Sequence, residues 1–305
     1  MTSHSLRDAA LRSLHGVHLF KGHGTGNDFV IYPDYDGCAD LTPEQVRALC
    51  DRHRGIGGDG VLRVVRTDCV PEVADQVSTT TWFMDYRNAD GSTAEMCGNG
   101  ARVFARYLNL AGLEAATTYA IATRRGPTQV VHHDDGDIEL NMGPAAGASD
   151  HVVPHVSIGD HQWPGLPVWT ANPHCVVFVE PPAQENASQL LATLDLSRMP
   201  RIEPASVFPE SANVEFVVRA APQHLLLRVH ERGVGETMAC GTGACAVMWA
   251  AAYTDDAPVE VAYQIESPGG MVSVRRDANH DLHLRGPAII VASVTITAES
   301  SQLTS

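Results

Sequence analysis

Two cysteines of this sequence are each followed by glycines at the same spacing. Cys97 stands in MCGNGAR, and Cys240 stands in ACGTGAC, which lies 240 − 97 = 143 residues further along the chain. Each Cys-Gly-x-Gly group precedes an apolar-periodic segment, so each predicts a thiol at the N-terminus of a helix, where the helix dipole amounts to about half a positive charge. The glycines allow several backbone N–H groups to point to one spot, which favours an anion.

A pair of thiols beside two anion sites suits one type of reaction. One thiolate removes a proton from a carbon, and a thiol on the opposite face returns one, so that the carbon is inverted. A thiol with a pKa of about 8.5 is only a modest base for the α-carbon of an amino acid. The negative charge that develops on the adjacent carboxylate must therefore be stabilised by the two helix N-termini, preferentially in the transition state. We expect the two thiols to exchange roles with the direction of reaction.

The elements around the two cysteines are predicted to be mostly short strands. Alternating or β-branched runs indicate strands in both halves, such as 17–20, 60–66, 224–231 and 270–276. Helices are expected at 42–52, where Thr42 can cap and Pro43 can take the first helical position, at 184–194 and after each glycine-flanked cysteine. Alignment of the two cysteines pairs strand with strand and helix with helix, and it places Asn88 opposite Glu231. This internal repetition predicts an α/β (α+β) fold of two similar domains.

The predicted boundaries follow composition. The expected organisation is an N-terminal extension over residues 1–17, a first domain over 18–145, a second domain over 146–290, and a carboxyl-terminal strand and tail over 291–305 that could return to the first domain. The boundary lies in a region rich in glycine, proline and alanine. The extension could form a short helix or a frayed tail, and the frayed tail is the safer expectation.

Composition excludes several classes of function. The net charge of −15, from 36 acidic and 21 basic residues, argues against sequence-independent binding to nucleic acid or to an anionic membrane. Seven cysteines with no C-x-x-C spacing argue against a disulfide framework and a zinc site, and they indicate reduced thiols in the cytoplasm. The stretch His132-His133-Asp134-Asp135 is interpreted as a solvated turn, so no metal is expected.

The basic residues are 20 arginines and one lysine, Lys21. A Schiff-base mechanism, including all pyridoxal-phosphate chemistry, therefore has a single candidate lysine, and no cofactor is expected. The segment GHGTGN is not a dinucleotide-binding fingerprint. A strand follows its glycines where a helix is required, and Asn27 replaces the third glycine.

Six segments in order resemble the diaminopimelate epimerase family, and the sequences MDYRNADGS and RVHERGVGET resemble its actinobacterial branch. The six segments are KGHGTGNDFV, DRHRGIGGDGVL, MDYRNADGSTAEMCGNGAR, ANPHC, SANVEF and RVHERGVGETMACGTGA. The resemblance covers about residues 18–295. It implies a pyridoxal-independent isomerase that interconverts LL- and meso-2,6-diaminopimelate for lysine and peptidoglycan-precursor synthesis. It also implies a homodimer and two domains related by pseudo-two-fold symmetry, each a strand-rich sheet wrapped around a central helix, with the active site in the cleft between them.

The resemblance also assigns roles to residues. Cys97 would be the proton donor and Cys240 the proton acceptor, with His174 and Glu231 tuning the protonation of the thiols. The reacting carboxylate would be bound by Gly98, Asn99, Gly241 and Thr242. The distal groups of the substrate would be bound by Asn27, Asn88, Asn172, Asn213, Glu231 and Arg232.

Two alternatives remain open. A proline racemase or another cofactor-independent isomerase would share the two-domain plan. Proline racemases typically have a histidine within the first Cys-Gly-x-Gly group, where this chain has Asn99, and an aspartate shortly before the second cysteine, where it has GETMAC. The other alternative, from a different class, is a non-catalytic amino-acid-binding protein on the same scaffold.

Overall fold

The computed structural model describes residues 3–147, 152–180 and 186–297. Over these ranges the chain forms five α-helices and twenty β-strands, which is a mixed, strand-rich α/β fold as predicted. The chain divides into two compact units. The first comprises residues 1–138 and 287–305, and the second comprises residues 139–286.

The first unit contains one five-stranded sheet and two further strands that pair antiparallel with each other. The sheet has the order β20-β1-β2-β3-β4, and the pair consists of β5 and β6. Their bounds are β1 His18–Gly24, β2 Asn27–Pro33, β3 Gly60–Arg66, β4 Trp82–Asn88, β5 Thr118–Ile121, β6 Thr128–His132 and β20 Ile289–Thr295. Its helices are α1 Ser3–Arg12, α2 Pro43–Cys50 and α3 Gly98–Leu110, with short 3-10 helices at Thr67–Cys69 and Pro71–Gln76.

Helix α3 lies at the centre of the first unit. It packs against β1, β2 and β20, and nearly all of its first eleven residues are buried. Strand β2 pairs in parallel with β3, and β3 pairs antiparallel with β4 in a register that sets Gly60 opposite Asn88. The sheet therefore brings the start of β2, the start of β3 and the end of β4 to one edge.

The N-terminal residues differ from the expected frayed tail. Residues 3–12 form helix α1, which packs on α2. Arg7 pairs with Asp51 at 2.7 Å. Leu11 and Leu14 are buried in the same apolar cluster as Leu49 of α2. The short helix is therefore the correct alternative, and the preference for a tail was wrong because these contacts join residues far apart in the sequence.

Helix α2 begins as its sequence predicts. Thr42 is the N-cap, Pro43 occupies the first turn, and the Thr42 hydroxyl accepts a hydrogen bond from the Gln45 amide. The Gln45 side chain accepts the Thr42 N–H in return at 2.8 Å, so the start of the helix is a complete capping box.

The second unit contains a nine-strand series and a small three-stranded sheet. The series is β7-β19-β18-β17-β15-β14-β12-β11-β8 with β16 beside β15, and the small sheet is β10-β9-β13. The bounds are β7 Ile138–Pro144, β8 Ala146–Gly147, β9 His155–Ile158, β10 His161–Pro164, β11 Leu166–Trp169, β12 Pro173–Phe178, β13 Arg201–Glu203, β14 Asn213–Ala221, β15 His224–Glu231, β16 Gly235–Thr237, β17 Ala262–Ser267, β18 Gly270–Arg276 and β19 Asp281–Gly286. Its helices are α4 Ala187–Thr193 and α5 Gly241–Thr254, with a 3-10 turn at Ala205–Val207.

Helix α5 is the core of the second unit. It packs against β11, β12, β14, β18 and β19. Its sequence, GTGACAVMWAAAYT, is small or apolar on every face, and its middle is buried. A helix that is apolar all round is stable in water only when other elements surround it.

The bounds of the units differ from the predicted domain boundaries. Strand β7 carries residues 139–144 beside β19, so the second unit begins before the turn-rich stretch. Strand β20 pairs antiparallel with β1, which places it in the first unit. The expected helix over 184–194 is α4, and residues 184–185 lie outside the described residues, as does the tail from 298. Over the described ranges, no helix is long and apolar enough to cross a membrane.

Candidate active site

Cys97 is the N-cap of α3. Its backbone is extended, with φ −138° and ψ 118°, and its sulfur accepts a hydrogen bond from the Gly100 N–H at 3.4 Å. A sulfur therefore does what a serine or aspartate oxygen usually does at this position. The first N–H groups of a helix have no acceptor within the helix, so the thiol lies at a site that favours negative charge.

A series of polar contacts leads from this thiol through two amide side chains to a guanidinium group. Cys97 Sγ lies 3.8 Å from Asn27 Oδ1. The same oxygen accepts from Asn99 Nδ2 at 3.3 Å, and Asn99 Oδ1 accepts from Arg102 Nη2 at 3.0 Å. Asn27 Nδ2 in turn donates to Asp59 Oδ2 at 2.6 Å. The structure thus brings the predicted residues Asn27, Cys97 and Asn99 into one polar network of the first unit.

Asn88 lies at the same sheet edge. Its side chain donates to Ser92 Oγ at 3.0 Å, in the turn that follows β4. Its strand partner is Gly60, and the backbone N–H of the next residue, Ala89, donates to the Asp59 carbonyl at 3.1 Å. The 59–60 segment therefore contacts both Asn27 and the Asn88 turn, which a sequence comparison of the two halves did not reveal.

The single lysine contacts an adjoining loop. Lys21 Nζ pairs with Asp28 Oδ2 at 2.5 Å and also donates to the Gly57 carbonyl. Arg52 contacts Asp28 and Asp59, each at 2.7 Å. These charges hold the loop that carries Asp59 against the beginning of β2.

Cys240 is the N-cap of α5, with the same geometry as Cys97. Its φ is −125° and its ψ is 115°, and its sulfur accepts from the Gly243 N–H at 3.4 Å. Thr242 Oγ1 lies 3.4 Å from the sulfur. Burial, and then the negative charges of Glu231 and Glu215, raise the pKa of the Cys240 thiol well above its ordinary value.

His174 belongs to a fully buried pair of side chains. His174 Nδ1 lies 2.6 Å from Glu215 Oε1, and neither side chain is exposed to solvent. His174 Nε2 lies 2.8 Å from Asn172 Oδ1. His174 is therefore held at both ring nitrogens, rather than lying at an exposed strand edge. Glu215 was not among the predicted site residues.

Asn213, Glu231 and Arg232 meet at the ends of neighbouring strands. Asn213 Oδ1 accepts from the backbone N–H of Arg232 at 2.9 Å, and Glu231 Oε1 accepts from Thr237 Oγ1 at 2.5 Å. Asn213 is also the strand partner of His174 in the parallel pair β12 and β14. The second unit thus groups all its predicted site residues around the N-terminus of α5 and the ends of β12, β14 and β15.

Two acidic residues of the site carried a sequence signal that was not used. Glu215 interrupts the apolar run NVEFVV at a position that is 0% exposed, and an acid within an apolar strand requires a partner. Asp59 lies in GGDG, between two glycines of a turn.

The turn at His132-His133-Asp134-Asp135 is confirmed, since Gly136 N–H closes it on the His133 carbonyl at 3.0 Å.

The fold is shared with solved proteins of low sequence similarity. A crystal structure of the Bacillus anthracis phenazine biosynthesis protein of the PhzF family matches with a TM-score of 0.63 over 91% of this chain and 98% of that one, at 17% identity. The fold and the two helix-capping cysteines define a two-unit α/β protein with a thiol site in each unit.

The sequence comparisons are more specific. The model of the family described as diaminopimelate epimerase matches residues 19–147 and 167–291. The diaminopimelate epimerase of Streptomyces coelicolor is 45% identical over 90% of this chain and 94% of its own length. That of Rhodococcus erythropolis is 42% identical over 91% and 95%. This chain belongs to the diaminopimelate epimerase family.

Proposed function

We propose that this protein is a diaminopimelate epimerase that interconverts LL- and meso-2,6-diaminopimelate by proton transfer at one α-carbon. The observation that carries the proposal is the matching environment of Cys97 and Cys240. Each sulfur caps a helix and accepts one glycine N–H at 3.4 Å. Membership of the family supports the choice of substrate.

In the proposed reaction the thiolate of one cysteine removes the α-proton, and the electron pair of the broken C–H bond passes into the α-carboxylate. The thiol of the other cysteine then donates its proton to the opposite face of the carbon and becomes a thiolate. The N–H groups at Gly98, Asn99, Gly241 and Thr242 would stabilise the charge on the carboxylate, because negative charge increases there in the transition state. No cofactor takes part in this scheme.

If Cys240 is to accept the proton, a positive charge must lie near its sulfur and favour the thiolate. Glu231 and Glu215 favour its protonated form, and a thiol that remains protonated is no base. The α-ammonium group of the substrate would offset those two charges as it binds. Cys97, as donor for the same direction, would begin as a thiol.

The distal ammonium and carboxylate of the substrate need partners of opposite charge and several amides. We assign that role to Glu231 and Arg232 together with Asn27, Asn88, Asn172 and Asn213. The hydrogen bond from the Arg232 backbone N–H to Asn213 supports the assignment, because it fixes the backbone from which the Arg232 side chain extends.

The experiment is proton exchange in deuterated water. The reduced protein is incubated with LL-diaminopimelate, and the product is analysed for the meso isomer and for deuterium at one α-carbon. We expect both, and we expect Cys97→Ala and Cys240→Ala each to abolish epimerisation. The matched controls are Cys38→Ala and Cys69→Ala, which remove exposed thiols and should keep full activity.

The alternatives give different outcomes in the same assay. Racemisation of proline, offered in parallel, without exchange of diaminopimelate would identify a proline racemase-like isomerase. Binding of diaminopimelate by calorimetry without any exchange would identify a non-catalytic binding protein. Either result contradicts the proposal.

The reaction would serve lysine and peptidoglycan-precursor synthesis, and the protein would act in the cytoplasm, where thiols stay reduced. It would form a homodimer, for which light scattering should give about 2 × 32.7 = 65.4 kDa. A mass near 32.7 kDa would contradict the dimer and leave the chemistry unchanged.

A further inference from the structure

Glu215 is an acid where the fold would favour an apolar residue. It is the third residue of β14, it is 0% exposed, and its strand neighbours Val214 and Phe216 are core residues. Burying a carboxylate costs several kcal/mol unless a partner compensates for it. Over the described residues, its Oε2 has no hydrogen-bond partner. Such a costly group indicates a role beyond packing.

The partner of Glu215 is the imidazole of His174. Strands β12 and β14 run parallel, with His174 opposite Asn213 and Val176 opposite Glu215. Side chains two residues apart on a strand share a face, so His174 and Glu215 meet diagonally across the two strands. The orientation of the His174 ring is fixed by two contacts, Glu215 at Nδ1 (2.6 Å) and Asn172 at Nε2.

Glu215 also lies beside the first turn of α5. A β-carbon added at Gly243 would come within 2.8 Å of Glu215 Oε1 and within 3.3 Å of Cys240 Sγ. One glycine therefore separates the carboxylate oxygen from the thiol. Two carboxylates act on that thiol, Glu231 and Glu215, and both raise its pKa after the larger effect of burial.

We infer that Glu215 is a positioning residue of the proposed epimerase: it holds the His174 imidazole by an Nδ1–H hydrogen bond and places a fixed negative charge beside Cys240. The role of Glu215 in turnover rests on the proposed function, whereas its contact with His174 and its position beside Cys240 do not. The proposal assigns Glu215 no contact with the substrate or with the reacting carbon. It acts through His174 and through its charge.

The test is the pH dependence of Cys240 alkylation, which needs no substrate. Wild type and Glu215→Gln are treated with iodoacetamide from pH 6 to 11, and the Cys240 peptide is quantified by mass spectrometry. Glutamine keeps the shape and removes the charge, so we expect the midpoint for Cys240 to fall by about one pH unit. Glu231 remains in place, so only part of the shift is removed. The midpoint for Cys97 should stay where it is.

Glu266→Gln is the matched control. Glu266 also contacts a histidine, with His224 Nε2 3.1 Å from its Oε2, but that pair lies at the surface of the same unit. The Cys240 midpoint in Glu266→Gln should equal that of wild type. An equal midpoint in folded Glu215→Gln would overturn the role assigned to the charge.

Measurements of turnover and of the His174 NMR signal distinguish the effect of the Glu215 charge from its effect on the orientation of His174. Glu215→Asp keeps the charge but shortens the reach to Nδ1, so kcat should fall at least about 10-fold while the Cys240 midpoint stays within half a unit of wild type. In the native protein, nitrogen NMR should show a proton on Nδ1 of His174, with the signal assigned by its loss in His174→Gln. An Nδ1 without a proton would refute the inference even if no Glu215 variant folds. If wild type fails to turn over diaminopimelate, the function is wrong, but the alkylation and NMR results still decide the contacts.

Discussion

The side-chain amide of Asn27 donates a hydrogen bond to Asp59 Oδ2 at 2.6 Å, while its oxygen faces Cys97 Sγ at 3.8 Å. Asp59 also accepts the Asp28 backbone N–H at 3.1 Å and pairs with Arg52. The carboxylate therefore fixes which way the Asn27 amide points. The donor end is turned to the loop, and the acceptor end is turned to the thiol.

The first prediction is that Asp59→Asn lowers kcat/KM for diaminopimelate about 10-fold to 100-fold, since a small misplacement of a site residue costs this much. The asparagine can turn its own N–H toward Asn27 and reverse that amide, so the Cys97 contact is lost. Steady-state epimerisation measures the effect. Thermal unfolding should change little, because the Asp59 side chain is 42% exposed.

Asp68→Asn is the control for this change. Asp68 pairs with Arg66 at the surface of the same unit, at 2.6 Å, and kcat/KM should stay within a factor of two. Unchanged activity in Asp59→Asn would show that Asn27 keeps its orientation without the carboxylate.

The second prediction concerns the two glycines, Gly243 and Gly100, whose N–H groups donate to the cysteine sulfurs. In Gly243→Ala the new methyl group would lie 2.8 Å from Glu215 Oε1 and 3.3 Å from Cys240 Sγ. The carboxylate is held by His174 and cannot move away freely, so we expect kcat to fall at least about 100-fold. The melting temperature should fall far less, because alanine favours a helix over glycine by about 1 kcal/mol.

Gly100→Ala is the matched variant of the first unit. Its methyl group would meet Leu62 Cδ2 at 3.1 Å and Cys97 Cβ at 3.4 Å, which is a milder approach to a flexible side chain. We expect a smaller loss of kcat than in Gly243→Ala. The reverse order, in the same assay and with both proteins folded, would contradict the geometry.

Local sequence predicted the regular elements well. The strands over 60–66, 224–231 and 270–276 have the predicted bounds, and the cap at Thr42 is confirmed. Strand β1 runs to Gly24, beyond the predicted end at residue 20. Pairing with β2 and β20 extends it through glycines that have little tendency to form strands alone.

The site was less predictable because its contacts join distant residues. His174 and Glu215 are 41 positions apart, and Asn27 and Asp59 are 32 apart. Each pair meets only after parallel strands have paired, and no short pattern specifies that register. The short strands β9, β10 and β13 were missed for a different reason, since three or four residues carry little periodicity.

The third prediction is a pH dependence of stability in the second unit. Glu139 Oε1 lies 3.0 Å from His283 Nδ1 and 2.8 Å from Arg275 Nη2. The His283 hydrogen bond lowers the pKa of Glu139 from 4.5 to about 2, and Glu139 raises the pKa of His283 above 6.5. The carboxylate therefore stabilises the fold above pH 4.5, and this contribution is lost as the pH falls toward 2. The charged histidine contributes below pH 6.5, and this is lost as the pH rises through its raised pKa.

Chemical unfolding of wild type and Glu139→Gln should show this window. We expect a difference of about 1 kcal/mol, discounted for partial solvent screening, that is largest between about pH 5 and 6 and shrinks on both sides. Glu44→Gln removes an exposed partner of Arg47, with a side chain 55% exposed, and should give no such profile. A difference that does not vary from pH 3 to 8 would exclude the proposed coupling.

The fourth prediction tests whether the N-terminal residues belong to the fold. Leu14 is 4% exposed and packs in the cluster that contains Leu49 and Val61. Leu14→Ala should therefore lower the free energy of unfolding by about 2 to 4 kcal/mol, the range for a buried leucine. Leu110→Ala, at a side chain 64% exposed at the end of α3, should change it by less than about 0.5 kcal/mol. Urea denaturation followed by circular dichroism measures both. We expect kcat to be unchanged in either variant, because neither leucine takes part in the contacts that form the site around Cys97. Equal, small effects on the free energy of unfolding would show that the segment after α1 contributes nothing to the core of the first unit.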